Sequence, residues 1–112
     1  MGIRAIQSVA CAAVLALAGL SVAAPTESQV GVRVFRFQPG QLEVGAGSRV
    51  TWTNQDDITH TVTSGTPEQR DGRFDRRLEG QGTAATVEFT APGVYPYFCS
   101  RHPSMRGEIR VN

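Results

Sequence analysis

The sequence predicts an all-β fold, a Greek-key β-sandwich of seven to eight strands. Three observations predict it. No stretch of about 10–12 residues carries a helical apolar period. Short alternating or β-branched runs recur instead from residue 30 to residue 111. Glycine and proline punctuate the gaps between those runs, as turns do in sandwiches.

The first 24 residues stand outside that pattern. Arg4 supplies a positive start, an apolar run follows from Val9 to Leu20, and SVAA places Val22 and Ala24 where signal peptidase reads small residues. The run falls short of the roughly 20 apolar residues that a bilayer span needs. Cys11 lies inside it with no leucine three residues earlier, which argues against a lipoprotein leader. The expectation is a cleaved signal peptide over residues 1–24, one domain over residues 25–112 with a modest core, and no membrane span after cleavage.

Within the domain, VGVRVFRF (30–37) is the first predicted strand and QPG ends it. QLEV (41–44) is the second and stops at GAG. SRVTWTN (48–54) alternates cleanly, with Val50 and Trp52 on one face. HTVTS (60–64) follows. The polar, charge-mixed stretch 66–82 reads as a solvated loop with at most a short edge strand around Phe74. ATVEFT (85–90), VYPYFC (94–99) and GEIRV (107–111) complete the set. Pro96 has no N–H, so it belongs at an edge, a bulge or a position that donates no ladder bond.

Charge and cysteine usage narrow the function. Residues 25–112 hold ten arginines, no lysine and ten acids, without a basic stripe, so nucleic acid is not expected as a partner. Export implies an oxidising compartment, yet this segment has a single cysteine, Cys99. An unpaired cysteine there is a dimer link, an inert buried thiol or a metal ligand.

The same segment has one methionine and two histidines. Cys99, His102 and Met105 fall within seven residues, in CSRHPSM, and His60 opens a predicted strand upstream. Singly, Met105 reads as core filler, Cys99 as an inert thiol and His60 as a satisfied histidine. None of these readings accounts for the clustering. A thiolate with two imidazoles forms a trigonal set that a thioether approaches weakly on the perpendicular axis, and this set suits copper. Structural zinc favours more thiolates and rarely takes methionine. A haem c attachment needs Cys-x-x-Cys-His, which is absent. Pro103 stiffens the loop after His102, and Gly107 lets the chain turn back into the last strand.

These residues resemble the small blue copper proteins, or cupredoxins, in their amicyanin and plastocyanin-like branch. The likeness runs through FRFQPGQLEVGAGSRVTWTNQDDITHTVTSG and FDRRLEGQGTAATVEFTAPGVYPYFCSRHPSMRGEIRV. Cys-x-x-His-x-x-Met is the short ligand loop of the amicyanin type, and the step from Asn54 to His60 matches as well. Thr59 stands where amicyanin has proline, and Pro96 where it has a residue able to donate a hydrogen bond.

The resemblance implies one copper ion, with His60, Cys99 and His102 as equatorial ligands, both imidazoles binding through Nδ1, and Met105 as the axial ligand. It implies that Asn54, otherwise a plain turn residue, ties the His60 loop to the loop beginning at Ser100. It also implies a periplasmic, monomeric electron carrier cycling Cu(II) and Cu(I), not an enzyme. The electron is expected to leave through the edge of His102, ringed by Pro103, Met105 and Ile58. Partners so implied are redox proteins, a cytochrome c or a periplasmic dehydrogenase or reductase, in transient complexes. Two other readings compete. A copper delivery or storage protein would want an open or methionine-rich site, and a metal-free interaction domain would carry these ligands incidentally.

Overall fold

A computed structural model describes residues 23–112. The expected leader therefore lies almost wholly outside the described residues. Nine strands follow in order: β1 (Glu27–Arg33), β2 (Arg36–Gln38), β3 (Gln41–Val44), β4 (Ser48–Asn54), β5 (His60–Gly65), β6 (Arg70–Leu78), β7 (Ala84–Phe89), β8 (Gly93–Phe98) and β9 (Arg106–Val111). They form a four-stranded sheet, β2-β1-β4-β7, and a five-stranded sheet, β3-β9-β8-β5-β6. Both sheets are mixed: β1 runs parallel to β4 and β3 parallel to β9, and the other pairs are antiparallel. This is the all-β sandwich the punctuation of the sequence predicts.

The alternating runs bury one face each. Val30 and Val32 of β1 and Val50 and Trp52 of β4 meet Val62, Tyr97, Ile109 and Val111 of the opposite sheet in one core. Trp52 is its centre, with the rings of Tyr97, Phe74 and Phe89 at 5.2, 6.1 and 6.3 Å. Full burial of such side chains contributes about 1.5–3 kcal/mol each before cavity effects are counted.

Two expectations change. The single strand expected over 30–37 is a hairpin, with β1 and β2 paired around a two-residue turn at Val34 and Phe35. Both turn residues have left-handed backbones, φ 50° and 56°. The second correction concerns 66–82, which holds the nine-residue strand β6 rather than a solvated loop. It is the edge of its sheet and most of its side chains are exposed; only Phe74 and Leu78 are buried. An edge strand with two anchors four residues apart shows no alternation, so its composition mimics a loop.

Pro96 sits in β8 opposite Glu108 of β9. On its other side β8 pairs with β5 only at Phe98 and Tyr97, so no β5 residue stands opposite the proline. The chain thus carries Pro96 within an interior strand at a place where one ladder has already ended.

Candidate metal centre

One end of the sandwich gathers the rare side chains. His60 is the first residue of β5 and is fully buried. Cys99, also fully buried, follows the last residue of β8. The loop from Cys99 to Met105 is closed by its own backbone. His102 N–H donates to Cys99 O at 3.2 Å, Met105 N–H to His102 O at 2.9 Å, and Cys99 N–H to Met105 O at 3.1 Å. This tight turn between the paired residues Phe98 and Arg106 folds His102 back over Cys99.

Cys99 Sγ lies 3.8 Å from His60 Nδ1 and 3.8 Å from His102 Nδ1. All three donor atoms fall within 4.8 Å of one another. A metal–sulfur bond of about 2.3 Å and a metal–nitrogen bond of about 2.0 Å, set at a trigonal angle, place S and N about 3.7 Å apart, close to the distances seen. The spacing fits one first-row ion shared by the three atoms, and a soft sulfur with two imidazoles is the donor set of a copper site.

The neighbours prepare each donor. Thr61 N–H donates to Cys99 Sγ at 3.3 Å and fixes the position of the sulfur. His60 Nε2 is 2.7 Å from Asp56 Oδ2. With Nε2–H donated to the carboxylate, Nδ1 keeps its lone pair and faces the sulfur. Asp56 also accepts Val34 N–H at 2.9 Å and Phe35 N–H at 3.5 Å. Burial pushes its carboxyl up, but the donors from Val34, His60 and Phe35 outweigh that and hold it below the ordinary range.

Asn54 does not make the tie that the resemblance implies. Its Nδ2 donates to Ile58 O at 2.7 Å and Leu78 O at 3.2 Å, and its Oδ1 accepts Asp56 N–H at 2.9 Å. It therefore orders the 54–58 loop against the end of β6. The link to the ligand loop falls to Thr61, whose Oγ1 accepts Ser100 N–H at 2.8 Å and lies 3.0 Å from Ser100 Oγ. Thr61 and Asp56 carry no spacing signal; only the hint that polar residues crowd the approach to His60 was available.

The surface differs from the expected ring in one member. Pro103 and Ile58 are exposed, but Met105 is 2% exposed and belongs to the interior. Its place is taken by the hairpin turn, where Val34 and Phe35 are 66% and 51% exposed. The Phe35 ring stands edge-on to His102 at 5.0 Å and to His60 at 5.8 Å.

The chain matches the family of copper binding proteins described as plastocyanin/azurin over residues 24–112. It belongs to that family. Amicyanin-alpha of Methylorubrum extorquens is 32% identical over 97% of this chain and 92% of its own. The amicyanin of Paracoccus denitrificans is 28% identical over 73% of this chain and 63% of its own. Among solved structures, a purple cupredoxin from Nitrosopumilus maritimus is 28% identical with a TM-score of 0.69, over 77% of this chain and all of that one. An amicyanin mutant in its reduced Cu(I) form at pH 4 is 26% identical with a TM-score of 0.68, over 77% of this chain and 82% of that one. Copper is the cofactor of this cupredoxin, and its relatives are electron carriers, not enzymes. Among the described residues, no helix is long and apolar enough to cross a membrane.

Proposed function

We propose that this cupredoxin is an exported carrier of single electrons, with residues 1–24 as its cleaved leader and residues 25–112 as a monomeric periplasmic domain. The observation that carries the reading is the convergence of two separate strand ends on one point, with Cys99 Sγ, His60 Nδ1 and His102 Nδ1 mutually within 4.8 Å. In it His60, Cys99, His102 and Met105 would hold the ion. The copper supplies a one-electron cycle between Cu(II) and Cu(I). The protein supplies rigidity. Asp56 fixes the His60 ring, Thr61 N–H fixes the sulfur of Cys99, and the backbone bonds across residues 99–105 keep the loop in one shape. A cage set before transfer changes little during it, which favours electron transfer over bond chemistry. With both histidines engaged, residues 25–112 offer no imidazole for a second metal or a substrate site.

His102 is only partly buried, so its ring edge is the exit toward redox partners such as a cytochrome c or a periplasmic dehydrogenase or reductase. The buried cysteine and single methionine in residues 25–112 favour a carrier over a delivery or storage protein.

Adding Cu(II) to the purified protein is expected to give an intense visible thiolate-to-metal band and a reversible one-electron couple. Cys99→Ser is expected to lose the band and keep the β circular dichroism; a variant of unchanged colour would overturn the ligand assignment. Met105→Gln is expected to keep copper and lower the reduction potential, because a harder axial oxygen favours Cu(II). An unchanged potential would make Met105 a packing residue only.

A further inference from the structure

The tip of the β1–β2 hairpin breaks three local rules at one place. Val34 and Phe35 both sit in the left-handed region, φ 50° and 56°, where a β-branched or bulky residue is strained and Asn or Gly is the usual choice. Both apolar side chains face water, 66% and 51% exposed. The residues that flank them, Arg33 and Arg36, are a directly opposed cross-strand pair of like charge, an arrangement that destabilises a ladder. Asp56 holds the turn by accepting both of its amides. Strain, exposed apolar surface and like-charge pairing collected on one element mark a place kept for function rather than stability.

The element is aimed at the electron exit. Phe35 stands 5.0 Å from the His102 ring, and Arg101, exposed, precedes His102 in the chain. Among the described residues, none of Arg33, Arg36 and Arg101 is in an ion pair. Of the acids adjoining His60 in the chain or next to its ladder partner Leu78, Asp56 is engaged with His60 and the turn amides, Glu79 is paired with Arg77, and Asp57 is exposed. We propose that the Val34–Phe35 tip, with Arg33, Arg36 and Arg101 around it, is the docking element for a redox protein whose own exit is rimmed with carboxylates. This rests on the electron-carrier reading and adds to it the sign of the partner. The two apolar side chains displace water above His102, and the three guanidiniums steer the encounter and set its orientation. A contact this small suits a brief complex.

The test uses the full copper-loaded protein and its R33E/R36E variant. The Cu(I) form is oxidised by hexacyanoferrate(III), an anion, or by tris(1,10-phenanthroline)cobalt(III), a cation. One electron moves, Cu(I) becoming Cu(II) as Fe(III) becomes Fe(II) or Co(III) becomes Co(II). At low ionic strength the variant is expected to react about tenfold more slowly with the anion and faster with the cation, and the contrast is expected to fade in high salt. In parallel, a short poly-glutamate is titrated into the diamagnetic Cu(I) protein. It is expected to shift the amide resonances at Val34, Phe35, Arg36 and Arg101 in the parent and not in the variant. Variant rates equal to those of the parent with both oxidants, or poly-glutamate shifts elsewhere, would overturn the proposal. So would binding to phosphatidylserine vesicles, lost in the variant, without any response to poly-glutamate. Self-association through the tip would overturn it as well. A protein without the visible band would instead sink the carrier reading, and the poly-glutamate titration would still report on the surface.

Discussion

At the scale of single residues, what was legible in the sequence was what was rare. One cysteine, one methionine and two histidines in residues 25–112 leave few ways to be scattered, and three of them share seven positions. The residues that prepare those donors are common ones. Asp56 and Thr61 act through a carboxylate oxygen at 2.7 Å and a backbone N–H at 3.3 Å, relations that exist only once the 54–60 loop has folded. Asp56→Asn tests the first. It keeps the shape, removes the negative charge, and leaves Nε2–H facing a weaker acceptor. Outer partners of this kind are worth about 10- to 100-fold in metal affinity. Cu(II) affinity is therefore expected to fall within that range and the reduction potential to rise, because the oxidised ion loses more than the reduced one. Competition titration and voltammetry measure the two. An unmoved potential would mean that Asp56 serves the hairpin turn alone.

At the scale of elements, the interior strands announced themselves and the edges did not. Strand β4 alternates because one of its faces is core, whereas β6 needs only Phe74 and Leu78 to hold an edge and reads as a polar loop. The β1–β2 hairpin was hidden for the opposite reason: Val34 and Phe35 continue an apolar alternation through a turn that usually takes Asn-Gly. That mismatch sets a measurable trade. A left-handed L-residue other than glycine costs about 1–2 kcal/mol. The double change Val34→Asn, Phe35→Gly is expected to stabilise the copper-free protein by about 1 kcal/mol in denaturant unfolding, since Asn and Gly accept the backbone already present. The same change removes the apolar tip over His102, so it is expected to weaken docking while the visible band stays. A destabilised variant would mean that Phe35 contributes more by packing on His102 and His60 than the turn costs.

At the scale of the whole molecule, the core carries a charge-free polar flaw that couples stability to pH. The hydroxyl of Tyr97 and the indole nitrogen of Trp52 are both buried without a hydrogen-bond partner among the described residues. Burial pushes the Tyr97 phenol up from 10.0 to about 12; the neighbouring Trp52 indole opposes the shift but does not close a hydrogen bond. The unfolded chain then releases this proton near pH 10, before the folded one does. The contribution is fully present below pH 10 and is lost as pH rises toward 12, because there the unfolded state binds fewer protons. Two units at about 1.4 kcal/mol each give about 2–3 kcal/mol over that window. Residues 25–112 contain no lysine, so no ammonium titrates across the same range. Tyr97→Phe is expected to flatten this alkaline limb in denaturant unfolding. At neutral pH it is expected to change stability by less than about 1 kcal/mol, since it removes a hydroxyl that makes no bond. A loss well above that at neutral pH would show the hydroxyl to be satisfied in solution, and an alkaline limb unchanged in the variant would show that the limb has another origin.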